Sequence, residues 1–551
     1  MTISGDQNTA GVFTPESGLA ESDKKVAGTN ITPRIYFSIL VLCVIGIISV
    51  QLFSNDHSLT NILSALLTLV GWMFLLLWLR SVQQTRGVAS ILFFSSIVVV
   101  IGFFVAFKWE RFSSEMVPQF SYRFGPGKGE LPTESAPDAE QADSIFAPAE
   151  TDFSQFLGPD RTGVLTTRVE SDWESNPPKI QWKQPIGEGW SGFAVQGDAA
   201  ITMEQRDESE WVTAYNVADG TLLWKYVIDA KHTTVPGGAG PRSTPTIANY
   251  RVYACSAVGK FVCLNLTDGS EIWSQDLSEL GSADQTSFEA EVSWGRSGSP
   301  LIVNDKVVVP LGGKGTGGGN EGAAQPLIAF SAEDGSEVWR AGKGQITYSS
   351  PVMATVAGVS QILFVSWDKV AGYNFDTGEQ LWESEWQGVG NANPAVAHPV
   401  QVSENQLLLG KAYGQGSMLL EISNNDGQWS TEVVWKKSSV MKTKFATAVI
   451  RDGYAYGLSD GILECIDVST SRKKWKRGRY KHGQLLLLDD KLLILTEEGE
   501  LVLVKAEPEK HEELASMKVI DGICWNTISL SGNRLLVRSS DEAACVLLPM
   551  E

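Results

Sequence analysis

Gly457-Leu458-Ser459-Asp460-Gly461 spells the G-x-S-x-G pattern, in which a serine held on a strained strand-to-helix turn becomes a nucleophile. Here short apolar runs flank it on both sides and no helix follows, so it reads as a turn between two strands. Gly312 to Asn320, GGKGTGGGN, has the glycine density of a phosphate cradle. It lacks the Lys-Ser/Thr ending and an ensuing helix, and it too reads as a hairpin loop. The five histidines, His57, His232, His398, His482 and His511, show no metal-ligand spacing. No catalytic residue and no metal set is therefore expected.

Binding chemistry has better candidates. Arg242, Arg296, Tyr348, Asn391 and Lys444 each stand just ahead of a short apolar strand, Arg242 and Arg296 lying three and four residues before Pro245 and Pro300. If those strands line a central channel, the five residues converge on its mouth. A ring of cations and amides there would bind an anionic small molecule or a partner's acidic loop. A second cationic feature is RKKWKRGRYK, Arg472 to Lys481, with seven basic residues. It reads as a solvated outer strand, with attraction for anionic headgroups or an acidic partner as the alternative. The formal net charge of −20 excludes non-specific nucleic-acid binding by the whole surface, which needs an excess of Lys and Arg.

The elements that must position these residues follow from tryptophan. Trp182, Trp224, Trp273, Trp339, Trp382, Trp435 and Trp475 are spaced by 42, 49, 66, 43, 53 and 40 residues. A period near forty, filled with short Val/Ile/Leu/Tyr runs and Gly/Asp/Asn breaks, is that of four-stranded propeller blades. Four places before Trp stand Gly220, Gly269, Gly335 and Gly378, lapsing to Ser471, and each glycine follows Asp or Thr, the chemistry of a tight turn. Ten places before Trp stand Ala214, Cys263, Ala329, Gly372 and Cys465, all small. A strand position pressed against the neighbouring blade explains that restriction, and Cys263 and Cys465 are then buried small hydrophobes. Residues 485–519 supply a seventh blade without the Trp and residues 527–548 three strands of an eighth. Lys179 to Pro185, carrying Trp182, is expected to complete it and close the ring. The fold class is all-β: an eight-bladed β-propeller over residues 152–551.

Three uncharged apolar runs precede it, Ile35 to Phe53, Ile62 to Leu79 and Val88 to Phe107, each long enough to cross a bilayer as helix. They make residues 35–107 a three-helix membrane anchor, behind a polar segment 1–34 and ahead of a Pro-, Glu- and Ala-containing flexible linker, 108–151. A cleaved signal peptide is not expected, because the polar segment comes first and no small-residue cleavage pattern follows the first run. Lys24, Lys25 and Arg34 before the first span, and Arg80 and Arg86 between the second and third, put the N-terminus inside and the propeller outside.

The Gly-x-x-φ-Trp signature, the STP, SGSP and SSP strands at residues 243, 297 and 349, and FLGPDRTGV from Phe156 to Val164 resemble the bacterial pyrroloquinoline quinone (PQQ)-like repeat propellers. That resemblance covers residues 153–551 and implies the eight-bladed fold. It implies one of two functions, because the superfamily holds both quinoprotein alcohol dehydrogenases and the outer-membrane protein assembly lipoprotein. A dehydrogenase would need PQQ with calcium, and adjacent cysteines under the quinone. The chain has no Cys-Cys pair, its propeller cysteines being Cys255, Cys263, Cys465, Cys524 and Cys545, and no calcium set aligns. The expectation is a protein-binding or assembly platform on the periplasmic side of a bacterial inner membrane, without a cofactor. The alternative is a PQQ-dependent quinoprotein oxidoreductase.

Overall fold

The computed structural model describes residues 31–54, 57–124, 139–234, 237–281, 285–313, 325–387 and 394–551. Asn391, and the glycine loop from residue 314 onward, lie outside them. Among the described residues two compact units form: 31–54 and 59–102 make the first, and 57–58 with those from Phe103 onward make the second.

In the first unit, α1 (Ile31–Phe53), α2 (His57–Ser81) and α3 (Arg86–Ala106) are each long and apolar enough to cross a membrane. Cys43 and Gly71 meet where α1 and α2 touch, and Phe37 faces Trp78 at 5.5 Å. Leu52, Leu69, Ile91 and Val98 are more than 65% exposed.

In the second unit, eight sheets of antiparallel strands form an eight-bladed β-propeller. Blades 1 to 7 span residues 194–228, 246–276, 301–341, 352–385, 400–437, 449–479 and 484–518. Blade 8 takes three strands from residues 529–547 and its outer strand from Lys179–Pro185, with Cys545 opposite Trp182. The expected closure by the two ends of the domain is therefore present, and it removes the open edges of the ring.

The repeat residues show why the pattern is so strict. Trp224 of blade 1 packs on Gly269 of blade 2, where a Cβ would stand 2.4 Å from the indole, and its Nε1–H donates to Leu266 O at 2.8 Å. Trp182, Trp273 and Trp339 treat Gly220, Gly335 and Gly378 the same way. The glycine is thus required twice, by its φ of +71° at Gly269 and by the ring above it. The preceding Asp does not share the positive φ; the turn is a longer one, in which Asn265 Oδ1 accepts from Thr267 N and Asp268 Oδ1 from Ser270 N. The small position is pressed from two sides, by the neighbouring blade whose residues share its core and by an indole within its own blade. Ala214, Cys263, Ala329, Gly372 and Cys465 lie directly across the strand pair from Trp224, Trp273, Trp339, Trp382 and Trp475. Trp435 is the departure, opposite Leu419.

The stretch that composition marks as linker carries structure. A hairpin of β1 (Phe107–Phe112) and β2 (Pro118–Tyr122) follows α3 at once, and a short helix, α4 (Ala139–Ile145), precedes the propeller. Proline at the start of β2 and five prolines in 44 residues hide a hairpin whose order comes from distant contacts.

Two motifs settle, one as a turn and the other as a strand. Ser459 ends one strand of blade 6 and Asp460-Gly461, both at positive φ, join it to the next, which is hairpin and not elbow geometry. The basic run, Arg472 to Lys481, supplies the outer strand Lys473–Arg479 of blade 6, where Lys473 pairs with buried Glu464 at 2.9 Å and Arg479 with Glu115.

Candidate functional site at the channel mouth

Strand direction alternates within a blade, so the segments entering each inner strand and the turns between strands two and three open on one face. There they enclose a cavity of about 210 Å³. Trp190, Arg242, Tyr348, Phe445 and Trp525 all line it, and each stands four residues before the first residue of its inner strand. Tyr413 reaches in from the second turn of blade 5, and Trp294 from the insertion between blades 2 and 3 that includes α5 (Leu277–Leu280) and α6 (Gln285–Glu291). The rings meet in pairs: Trp294 stacks on Tyr348 at 5.2 Å, and Trp190 lies against Trp525 at 4.6 Å with the planes tilted by 36°.

The candidate residues separate here. Arg242, Tyr348 and Lys444 line the cavity. Arg242 donates to the carbonyls of Gly237, Gly238 and Gly240, and burial lowers its pKa to about 10, so it stays cationic at neutral pH. Lys444 Nζ lies 5.5 Å and 5.3 Å from the Tyr413 and Phe445 ring centres. Arg296 does not line the cavity: it is 4% exposed, stacks 3.6 Å over Phe288 and donates to Pro310 O at 3.3 Å. It turns into the wall, where Glu291 faces it. Glu210, against the Ala257 N–H, is so desolvated that its carboxyl is pushed up to about 8.

Two non-repeat segments close the channel. Residues 153–165 cross it from below: Ser154 O accepts from Ile247 N of blade 2, Arg161 donates to Ser299 O and Pro300 O of blade 3, and β3 (Val164–Leu165) adds a parallel strand to the inner edge of blade 7. Phe156 forms part of the cavity lining. From above comes the tip of the β1–β2 hairpin. Ser114, 3% exposed, donates from both N and Oγ to the carboxylate of Glu497, which is 2% exposed, and its carbonyl accepts from Lys444 Nζ at 2.8 Å. Arg111 lies 5.1 Å over Trp190 and donates to Ser540 Oγ at 2.7 Å. Glu115 pairs with Arg479.

The tryptophans, Phe156, Ser114 and Glu497 were not expected at this site. For Trp190 and Trp525 a signal existed, the four-residue offset they share with Arg242 and Tyr348. For Ser114 and Glu497, 383 residues apart, there was none.

A PQQ–calcium site can be tested on these residues. Calcium takes six to eight oxygens with carboxylates among them, and no Asp or Glu is among the described residues lining the cavity. The two cations that would meet a polyacid already hold main-chain carbonyls. Cys263 and Cys465 are fully buried in different blades. The residues do not fit that group. Among the described residues no cluster of three His, Cys, Asp or Glu could hold a metal.

Comparison with known proteins points both ways. The family model described as outer membrane protein assembly factor BamB matches residues 208–477. The assembly factor BamB of Shewanella oneidensis is 23% identical over 241 residues, 43% of this chain and 56% of its own length. Quinohemoprotein alcohol dehydrogenase ADH-IIG of Pseudomonas putida is 28% identical over 131 residues, 23% of this chain. The matched stretches thus span about half of the first relative and 16% of the second. Among solved structures, a europium-containing methanol dehydrogenase has a TM-score of 0.54 at 12% identity, covering 74% of this chain and all of that one, a likeness of fold.

Proposed function

We propose that this chain, a member of the PQQ-like repeat propellers, is a membrane-anchored extracytoplasmic platform on which proteins assemble, held by α1 to α3. The observation that carries the reading is the state of the channel mouth. Where a quinone-dependent enzyme needs carboxylates and uncommitted cations, this mouth presents paired aromatic rings, with Arg242 and Lys444 bonded to carbonyls and the chain's own Ser114 seated on Glu497. Aromatic side chains with a few polar groups around them are the composition of a protein-binding centre. The periplasmic face of a bacterial inner membrane is the compartment this reading requires, as the charge asymmetry around the apolar helices expects.

Tyr348 and Lys444 are the mouth residues to vary, because Arg242 and Arg296 hold the wall and their removal disturbs the frame. Affinity capture with the full chain from detergent-solubilised membranes should retain one or more proteins in fixed proportion, and Tyr348→Ala with Lys444→Ala should lose them while thermal stability holds. Dye-linked alcohol oxidation by the purified chain supplied with PQQ and calcium should be absent; measured turnover would replace this reading with the quinoprotein one. A reporter active only outside the cytoplasm should work fused after Glu551 and not after Arg86, and the reverse result would sink the compartment.

A further inference from the structure

The hairpin tip is bound to the mouth as a ligand is bound. A two-stranded hairpin is at best marginally stable in water, and this one is held at its tip by Trp190 ahead of blade 1 and by four polar groups from the propeller: Glu497 and Arg479 around blades 6 and 7, Ser540 in blade 8, and Lys444 ahead of blade 6. Each polar contact bridges more than 300 residues of sequence. The groups are complementary in kind: a guanidinium lies over an indole, a hydroxyl and its own amide meet the two oxygens of one carboxylate, and an acidic side chain meets an arginine. Glu497 decides what else can occupy the place. It is 2% exposed, and without Ser114 its remaining main-chain donor is His482 N at 3.1 Å. Leaving a buried carboxylate short of donors is costly, so whatever replaces the hairpin must bring donors of its own.

We infer that the channel mouth is a receptor for a polar turn, occupied in cis by Arg111 to Met116, and that a partner protein engages it by presenting a turn with the same groups: an arginine, a serine or threonine with a free amide, and an adjacent carboxylate. This rests on the platform reading and specifies the partner's chemistry. The resident hairpin competes from an effective concentration in the millimolar range, as short tethers do, so a partner must bind better than the free hairpin would.

The probe is a cyclised, fluorescein-labelled peptide of residues 107–122, titrated by anisotropy against the full chain in detergent. The wild-type chain should bind it weakly. The chain with Arg111→Ala, Ser114→Ala and Glu115→Ala, whose own hairpin has lost its grip, should bind it at least tenfold more tightly. Adding Glu497→Gln to that chain should reverse the gain at least tenfold, and so should adding Arg479→Ala, which lies on an outer strand and guards against a folding defect from the buried change. Raising salt from 0.05 to 0.5 M should weaken binding, about as the screening of the Glu115–Arg479 pair requires. Equal affinity for the wild-type and triple-variant chains, no binding to either, or indifference to both Glu497 and Arg479 would overturn the receptor. Quinone-dependent turnover with peptide binding intact would sink the platform reading and leave the receptor standing.

Discussion

The seam between blades and the mouth of the channel are made by the same eight sheets, by opposite means. At the seam one contact is repeated, an indole on the next blade's glycine with its N–H on a nearby carbonyl, from Trp182 through Trp339. At the mouth almost nothing is repeated except position: the fourth residue before the inner strand is Trp, Arg, Tyr, Phe or Trp according to the blade. Repetition makes a seam strong because each blade buries what its neighbour exposes. Variety at a fixed position makes a surface that distinguishes one partner from another. Stability and recognition are therefore separable in this fold, and mutations should sort accordingly.

The largest effect should come from the seam. Trp273→Ala removes a ring packed on Phe261, Phe330 and Gly335, and should cost about 3 to 5 kcal/mol, the range for a buried aromatic. Unchanged urea unfolding would dissolve the contrast at its root.

Next is acid. Burial holds His232 near 4 and His398 and His482 near 3, all below the unfolded value of about 6.5, so each takes up a proton on unfolding as pH falls through that value. Glu210 does the opposite, its folded pKa of about 8 lying above the unfolded value, so it releases a proton on unfolding between about pH 4.5 and 8. Near pH 5.5 the balance is about two protons taken up, and stability should fall by roughly 2 to 3 kcal/mol per unit of acidification. Above pH 7 Glu210 dominates this group, and its contribution declines as pH rises. Urea midpoints should thus rise from pH 5 toward neutrality and change little from there to pH 8.5, where Lys411, held near 8 by burial, takes up on unfolding about what Glu210 releases; a midpoint that climbs steadily toward pH 5 would contradict the assignment.

Smaller still is the position facing the indole. Cys263→Leu should overpack against Trp273 and cost about 1 to 3 kcal/mol, whereas Cys263→Ala should cost about 1 kcal/mol or less, measured in the same unfolding series. The smallest effect belongs to the mouth: Tyr348→Ala, on a half-buried ring, should cost less than Trp273→Ala while abolishing partner capture. If it destabilises as much as Trp273→Ala does, the mouth is part of the frame and the separation fails.

The amino-acid sequence by itself determined the blades, their number, the turn glycines and the closing strand, because each is a short-range pattern. Alternating apolar residues specify a strand, a glycine beneath a tryptophan specifies the turn, and a period near forty counts the blades. It also marked Arg242, Tyr348 and Lys444 as residues converging on one opening. It could not say that Arg296 turns into the wall while Lys444, at the same distance from its own inner strand, reaches the cavity, since the path of the loop ahead of each strand decides that. The contents of the channel were decided by tertiary structure alone. The hairpin 107–122 and the segment 153–165 belong to no repeat, and their order comes from Glu497, Ser540, Ser299 and Pro300, partners between 138 and 429 residues away. A local pattern carries no information about such partners. They meet only because ring closure brings the two ends of the domain around one axis.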